Sequence, residues 1–187
     1  MSLTAQDAAR HLLKLKAAEE GFLGYVRLQF PNWALPDFHL KMIDALDHLE
    51  KNTLDSHHGL SEAEKATTEL VPVRNLLITM PPRHGKSTYG SVIFPSYFMS
   101  KKPTRFMMST SYNSQLATDF GRQVRDLSNE PTTAQIFPDF EMSADSRAVD
   151  QWRTTSGGAA YFIGVGGTTS GRAANLLLFD DPLKSRE

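Results

Sequence analysis

Two places in the chain carry residues whose types and order suit chemistry on phosphate. In "NLLITMPPRHGKSTYG" (residues 75–90) an apolar run meets two prolines, then Arg83, His84, Gly85, Lys86, Ser87 and Thr88 follow without a break. A buried strand that turns sharply and restarts as a helix brings backbone N–H groups and a helix N-terminus onto an anion. In "NLLLFDD" (residues 175–181) four apolar residues run into Asp180 and Asp181. Adjacent carboxylates directly after a buried strand are costly unless a cation neutralises them.

The first stretch matches half of the phosphate-loop pattern G-x-x-x-x-G-K-[ST]: Gly85, Lys86 and Ser87 stand in place, whereas Met80 occupies the position of the first glycine. In that pattern the loop backbone cradles phosphate, the lysine reaches the terminal phosphates and the hydroxyl ligates Mg²⁺. Pro82, Arg83, His84 and Thr88 complete the predicted loop. The second stretch supplies the acidic partner that such sites need: Asp180 to hold Mg²⁺ with Ser87, and Asp181 to orient or deprotonate an attacking water. The bland alternative for Asp181 is a cap on the turn made with Pro182.

The elements that must position these residues are readable from periodicity. Residues 4 to about 30, rich in Ala, Leu, Lys and Glu with Leu12, Leu15, Phe22 and Val26 on one face, predict an amphipathic helix. "FPNWALPD" ends it. A second helix follows from Asp37, a predicted N-cap, with Phe38, Met42, Ile43, Leu46 and Leu49 inward. Residues 52–69 read as a polar connector; His48, His57 and His58 lack metal-ligand spacing. Residues 74–80 predict a buried strand, 86–100 a helix disturbed by Pro95, 104–110 a strand, and 112–127 a helix with Leu116, Phe120, Val124 and Leu127 inward. Further strands are predicted at 159–166 and 175–181. Alternating strands and helices imply an α/β fold with a mostly parallel sheet flanked by helices, preceded by an N-terminal helical extension. Ligands of such sheets sit at the carboxyl ends of the strands.

Composition bounds the function. With 187 residues, 40% of them apolar, the chain can bury one sizeable core. The net charge of −1 gives no overall basic field for nucleic acid, so any such contact needs a local patch. Charge is segregated along the chain: residues 83–125 hold seven basic side chains against one acid, and residues 126–150 six acids against one base. The absence of cysteine excludes disulfides and thiolate metal sites. No apolar run approaches the ~18 residues of a membrane span, and no secretory signal opens the chain. A cytoplasmic protein without membrane contact is expected.

The segments "MPPRHGKST" (80–88), "STSYNSQLATDFGRQVRDL" (109–127) and "GVGGTTSGRAANLLLFDDP" (164–182), in this order and spacing, resemble the ATPase domain of the large terminase subunit, the genome-packaging motor of tailed bacteriophages and related viruses. In that family the first glycine of the loop is commonly absent and an arginine precedes the Gly-Lys pair, as Met80 and Arg83 do here. The resemblance implies a P-loop NTPase fold of the ASCE/RecA-like kind, with residues 1–72 as an adenine-proximal helical region and 73–187 as the ATPase core. It implies that Arg83 contacts the γ-phosphate and that Arg172, in "TTSGRAAN", is the arginine finger inserted into a neighbour's site; a guanidinium fork matches the charge of the transferring phosphoryl group. Pairing with a neighbouring acid is the alternative for Arg172. Trp33, Phe38 or His39 would stack on adenine, or else staple the second helix.

The resemblance further implies ATP and Mg²⁺ as ligands, double-stranded DNA as cargo, a homo-oligomeric ring, portal and small-subunit partners, and the host cytoplasm as the place of work. Lys101, Lys102, Arg147 and Arg153 are the candidates for sequence-independent contacts to DNA. Two departures stand out. Terminases usually place Asp-Glu where Asp180 and Asp181 stand, which leaves Glu187 as a rival base. Complete large subunits also continue into an RNase H-like nuclease, so the expectation is a fragment, from truncation or a split gene, that alone binds ATP weakly and hydrolyses it slowly. The rivals from other classes are a regulatory module holding nucleotide as a structural ligand, another P-loop ATPase without motor activity, and a small-molecule kinase, whose lid and acceptor pocket fit the segments poorly.

Overall fold

A computed structural model describes residues 4–52, 75–167, 171 and 174–183. Helix α1 (Ala5–Glu20) starts from a reciprocal cap: the Thr4 hydroxyl accepts the Asp7 N–H at 3.2 Å, and the Asp7 carboxylate accepts the Thr4 N–H at 3.3 Å. The single helix predicted as far as residue 30 is broken at Gly21, whose backbone is extended, and α2 (Phe22–Gln29) restarts at once. Two contacts compensate the break. Asp47 Oδ1 accepts the Phe22 N–H at 2.8 Å, and a side chain at Gly24 would lie 2.1 Å from the Ala17 carbonyl oxygen, so only glycine allows α2 to fold back on α1. Helix α3 (Asp37–Lys51) is capped by Pro36, not by Asp37, which stands in the first turn and there complements the helix dipole.

The helix leaving the basic loop does not stay α-helical. Pro95 has no N–H and its ring crowds the carbonyl four residues back, that of Ser91. Residues Thr88–Ile93 accordingly form a π-turn, in which the Phe94 N–H reaches the Tyr89 carbonyl five residues back, before α4 (Phe94–Lys101) continues. The chain then runs through β1 (Phe106–Ser111), α5 (Ser114–Ser128), α6 (Pro131–Ile136), β2 (Met142–Arg147), β3 (Gln151–Thr154), β4 (Ala159–Gly164) and β5 (Leu176–Asp180). Asn113 caps α5 by accepting the Leu116 N–H at 2.7 Å.

The sheet order is β2-β3-β4-β1-β5. Strands β4 and β5 flank β1 in parallel, but β2, β3 and β4 pair antiparallel, so the sheet is mixed and not mostly parallel. The reason is the length of the connection: only residues 155–158 separate β3 from β4, enough for a hairpin but not for a crossover. Two other expectations need correction. Residues 75–80 form no strand; Leu76, Ile78 and Met80 pack on the core while Leu77 is 87% exposed, a period of two without a hydrogen-bonded neighbour strand among the described residues. Strand β5 is a sheet edge, and its Leu177 and Phe179 face solvent instead of being buried.

One core gathers Phe22, Tyr25, Phe94, Tyr97, Phe98, Phe162 and Trp152 from the N-terminal helices, α4 and the sheet. At the N-terminal end of β1 it encloses a charged cluster. Arg105, 1% exposed, donates to Glu50 at 2.8 Å and to the Phe98 carbonyl at 3.0 Å, and Lys101 donates to the other Glu50 oxygen at 2.7 Å. The cluster ties α3 to α4 and β1. Burial and the nearby Glu50 and Asp47 charges push the Tyr97 hydroxyl well above the usual phenol range.

Candidate functional site

The loop between Pro81 and Lys86 bends through two left-handed residues, Arg83 (φ 63°) and Gly85 (φ 83°). The glycine adopts that conformation freely, whereas at Arg83 it is strained and marks a position held by its surroundings. Left-handed residues in such turns gather backbone N–H groups into anion-binding hollows. A hollow of about 400 Å³ is lined by residues 80–88 and by Asp181. The helix that begins at Lys86 points its N-terminus into it.

Across the hollow stands the C-terminal end of β5. Lys86 Nζ lies 3.0 Å from Asp180 Oδ1 and 2.5 Å from Asp181 Oδ1. The two acids differ in setting: Asp180 is 5% exposed, while the Asp181 side chain is 68% exposed on a left-handed backbone (φ 45°). The second Asp180 oxygen accepts the Ser91 hydroxyl at 2.9 Å. Burial pulls the Lys86 ammonium down, but its hydrogen bonds and charge contacts with Asp181 and Asp180 outweigh this and hold it above the ordinary lysine value. Asp181 Oδ1 accepts from Lys86.

The donors available to a metal are oxygens: the Ser87 hydroxyl on the wall of the hollow and the carboxylates of Asp180 and Asp181. Hard donors of this kind suit Mg²⁺, which keeps several waters and completes its shell with substrate phosphate. Among the described residues no three acidic or histidine side chains form a cage. A cation held here would therefore depend on water and on the ligand's own oxygens.

The N-terminal region braces the loop from outside. His39 Nε2–H donates to the His84 carbonyl at 2.8 Å, and its Nδ1 is left buried without a partner. His84 Nδ1–H donates in turn to the Pro82 carbonyl at 2.8 Å. Phe38 packs edge-on against His39 and His84, and Trp33 stacks on Phe30 at 4.2 Å with its edge toward Tyr89. Trp33 and Phe38 stay partly open to solvent, so an aromatic shelf lies beside the hollow.

The remaining predicted residues fall elsewhere. Arg83 is exposed at the loop, and Thr88 lines the hollow. Arg172 and Glu187 lie outside the described residues, as do His57, His58 and Arg74. Arg153 is in register with Ala159, which pairs with Phe106 at the N-terminal end of β1; Arg147 pairs with Trp152, and Lys101 and Lys102 precede β1. All four basic positions thus lie toward the end of the sheet opposite Asp180, and Lys101 is committed to Glu50. Sequence reasoning missed Ser91, whose only signal was Pro95 four residues on.

Comparison with curated proteins and with solved structures found no match. Among protein-family models, that of the terminase large subunit, T4likevirus-type, N-terminal, matches residues 77–187, more than half of the chain and all of the loop and β5 site. The match covers the segments that carried the resemblance, residues 80–88, 109–127 and 164–182, and it brings with it a role in phage DNA packaging. The chain therefore belongs to the N-terminal family of the T4-like terminase large subunit.

Proposed function

We propose that the chain is the ATP-hydrolysing motor domain that drives double-stranded DNA into a procapsid. The observation that carries this reading is the meeting of Lys86 with Asp180 and Asp181 across the mouth of a hollow of about 400 Å³. A fortuitous Gly-Lys-Ser turn has no reason to face paired acids at the end of a neighbouring strand. The cluster carries two negative charges against one positive, so it favours an added cation. Residues 1–72 then serve as the adenine-proximal region, with Trp33, Phe38 and His39 beside the loop, and residues 73–187 as a P-loop core of the ASCE/RecA-like kind.

In this reading Lys86 leaves the carboxylates for the β- and γ-phosphates, and Arg83 reaches the γ-phosphate from the loop. Ser87 and Asp180 would hold Mg²⁺, which would neutralise negative charge on the transferring phosphate. Asp181, released from Lys86, accepts a proton from a water whose oxygen attacks γ-phosphorus. The bond to the bridging oxygen breaks and ADP leaves with its electron pair. Arg172 from the next subunit of a ring would meet the charge of that transition state. Lys101, Lys102, Arg147 and Arg153 are the candidate DNA contacts, with portal and small-subunit partners and the host cytoplasm as setting.

The test is ATP hydrolysis by the purified protein with and without linear double-stranded DNA. Hydrolysis that DNA stimulates, that Asp181→Asn lowers by at least ~100-fold with nucleotide affinity retained, and that Lys86→Ala removes together with affinity, supports the motor. Nucleotide binding that Lys86→Ala abolishes, with no hydrolysis for Asp181→Asn to remove, supports the regulatory module.

A further inference from the structure

Asp180 has two oxygens and two partners of different kinds. Oδ1 takes the Lys86 ammonium, a group that must leave when phosphate arrives, and Oδ2 takes the Ser91 hydroxyl at 2.9 Å. Ser91 is as buried as Asp180 and sits in the π-turn between Ser87 and Pro95. A serine inside an α-helix commonly returns its hydroxyl to the carbonyl four residues back. Here the proline forces the turn open, and the hydroxyl crosses to the strand instead. Single π-turns inside helices concentrate at functional sites.

We propose that Ser91 is a positioning residue for the Asp180 carboxylate: presented by the π-turn, its hydroxyl fixes the rotation of that carboxylate and leaves Oδ1 as the oxygen offered to a divalent cation. The inference rests on the reading of Asp180 as the metal-side acid. A buried carboxylate with one oxygen unpartnered would rotate, or draw a second donor from the helix. With Ser91 in place the exchange of Lys86 for a cation needs no movement of β5. Hydrogen-bond partners of metal ligands typically tune metal affinity by about 10- to 100-fold.

The experiment measures binding of a fluorescent non-hydrolysable ATP analogue over graded Mg²⁺, with Mn²⁺ binding followed by electron paramagnetic resonance and melting temperature in parallel. Wild type is compared with Ser91→Ala, Ser91→Thr and Pro95→Ala. Ser91→Ala should raise the Mg²⁺ concentration for half-maximal binding about 10-fold and weaken Mn²⁺ alike, while metal-free nucleotide affinity stays within about 2-fold. Ser91→Thr should restore the wild-type value. Pro95→Ala, which lets the turn tighten and favours the helix, should move the Mg²⁺ requirement in the same direction as Ser91→Ala without lowering melting temperature. Equal losses with and without metal, or no change in the metal requirement, overturn the proposal. A wild-type affinity indifferent to Mg²⁺ and to Lys86→Ala overturns the reading of the site itself.

Discussion

Among the described residues, the two ends of the central sheet carry ion clusters of inverted composition. At the N-terminal end of β1 Glu50 pairs with Arg105 and Lys101, and the Glu50–Arg105 pair is almost wholly buried. At the C-terminal end one base, Lys86, faces two acids, with its side chain 28% exposed and Asp181 more open still. In the first cluster Arg105 also donates to the Phe98 carbonyl and covers the Phe98 ring at 4.1 Å, so its charge is enclosed by fixed partners. Such a cluster joins elements, and breaking it strands a charge in the interior. The second is short of positive charge and reachable by solvent, which makes its contacts exchangeable. The same ion-pair chemistry thus fastens the fold at one end of β1 and, at the other, stays open to exchange, as the proposed nucleotide binding requires.

The comparison is broken most readily by removing one acid from each end. Glu50→Ala should cost about 3–5 kcal/mol in denaturant unfolding, because the buried Arg105 loses its 2.8 Å contact with Glu50. Asp181→Asn should cost less than ~1 kcal/mol, as expected of an exposed pair. Equal costs would contradict the division into a fastening end and a responsive end. Next in size, Gly85→Ala should destabilise by about 1–2 kcal/mol, since residue 85 is left-handed and the new Cβ would stand 3.2 Å from His39 Nε2. A neutral Gly85→Ala would mean that the loop relaxes freely and is not held in shape.

The smallest effect is a pH dependence. The folded-state value of Lys86 is raised above its ordinary 10.5, so its stabilising contribution is fully present below that pH and is lost as pH rises through the raised value. The stability difference between wild type and Lys86→Ala should be constant from pH 7 to 10 and shrink at more alkaline pH. A difference that grows with alkalinity would contradict the assignment.

What could be read from sequence followed the strength of the local signal. The parallel strands β1, β4 and β5 were legible because apolar runs such as "RFMMS" and "LLLF" end abruptly at polar or glycine residues. Helix α5 was legible because Leu116, Phe120, Val124 and Leu127 keep one face. Strand β2, "MSADSR", was not, since its polar composition reads as a charged loop and only pairing with β3 makes it a strand. The exposure of Leu77 and Phe179 was equally hidden, because burial depends on which neighbours a strand finds and not on its own hydrophobicity. Lys86 and the two aspartates stand in a readable motif, whereas the contact of Ser91 with Asp180 depends on a backbone distortion next to Pro95 that the sequence does not spell out.

The central claim is that Lys86 exchanges the carboxylates of Asp180 and Asp181 for the phosphates of ATP. Calorimetric titration of the protein with a non-hydrolysable ATP analogue in Mg²⁺, before and after Lys86→Ala, tests it directly. The account predicts saturable one-to-one binding that Lys86→Ala weakens by at least ~10-fold, the worth of a charge-assisted contact. Binding of equal strength in both proteins would contradict it.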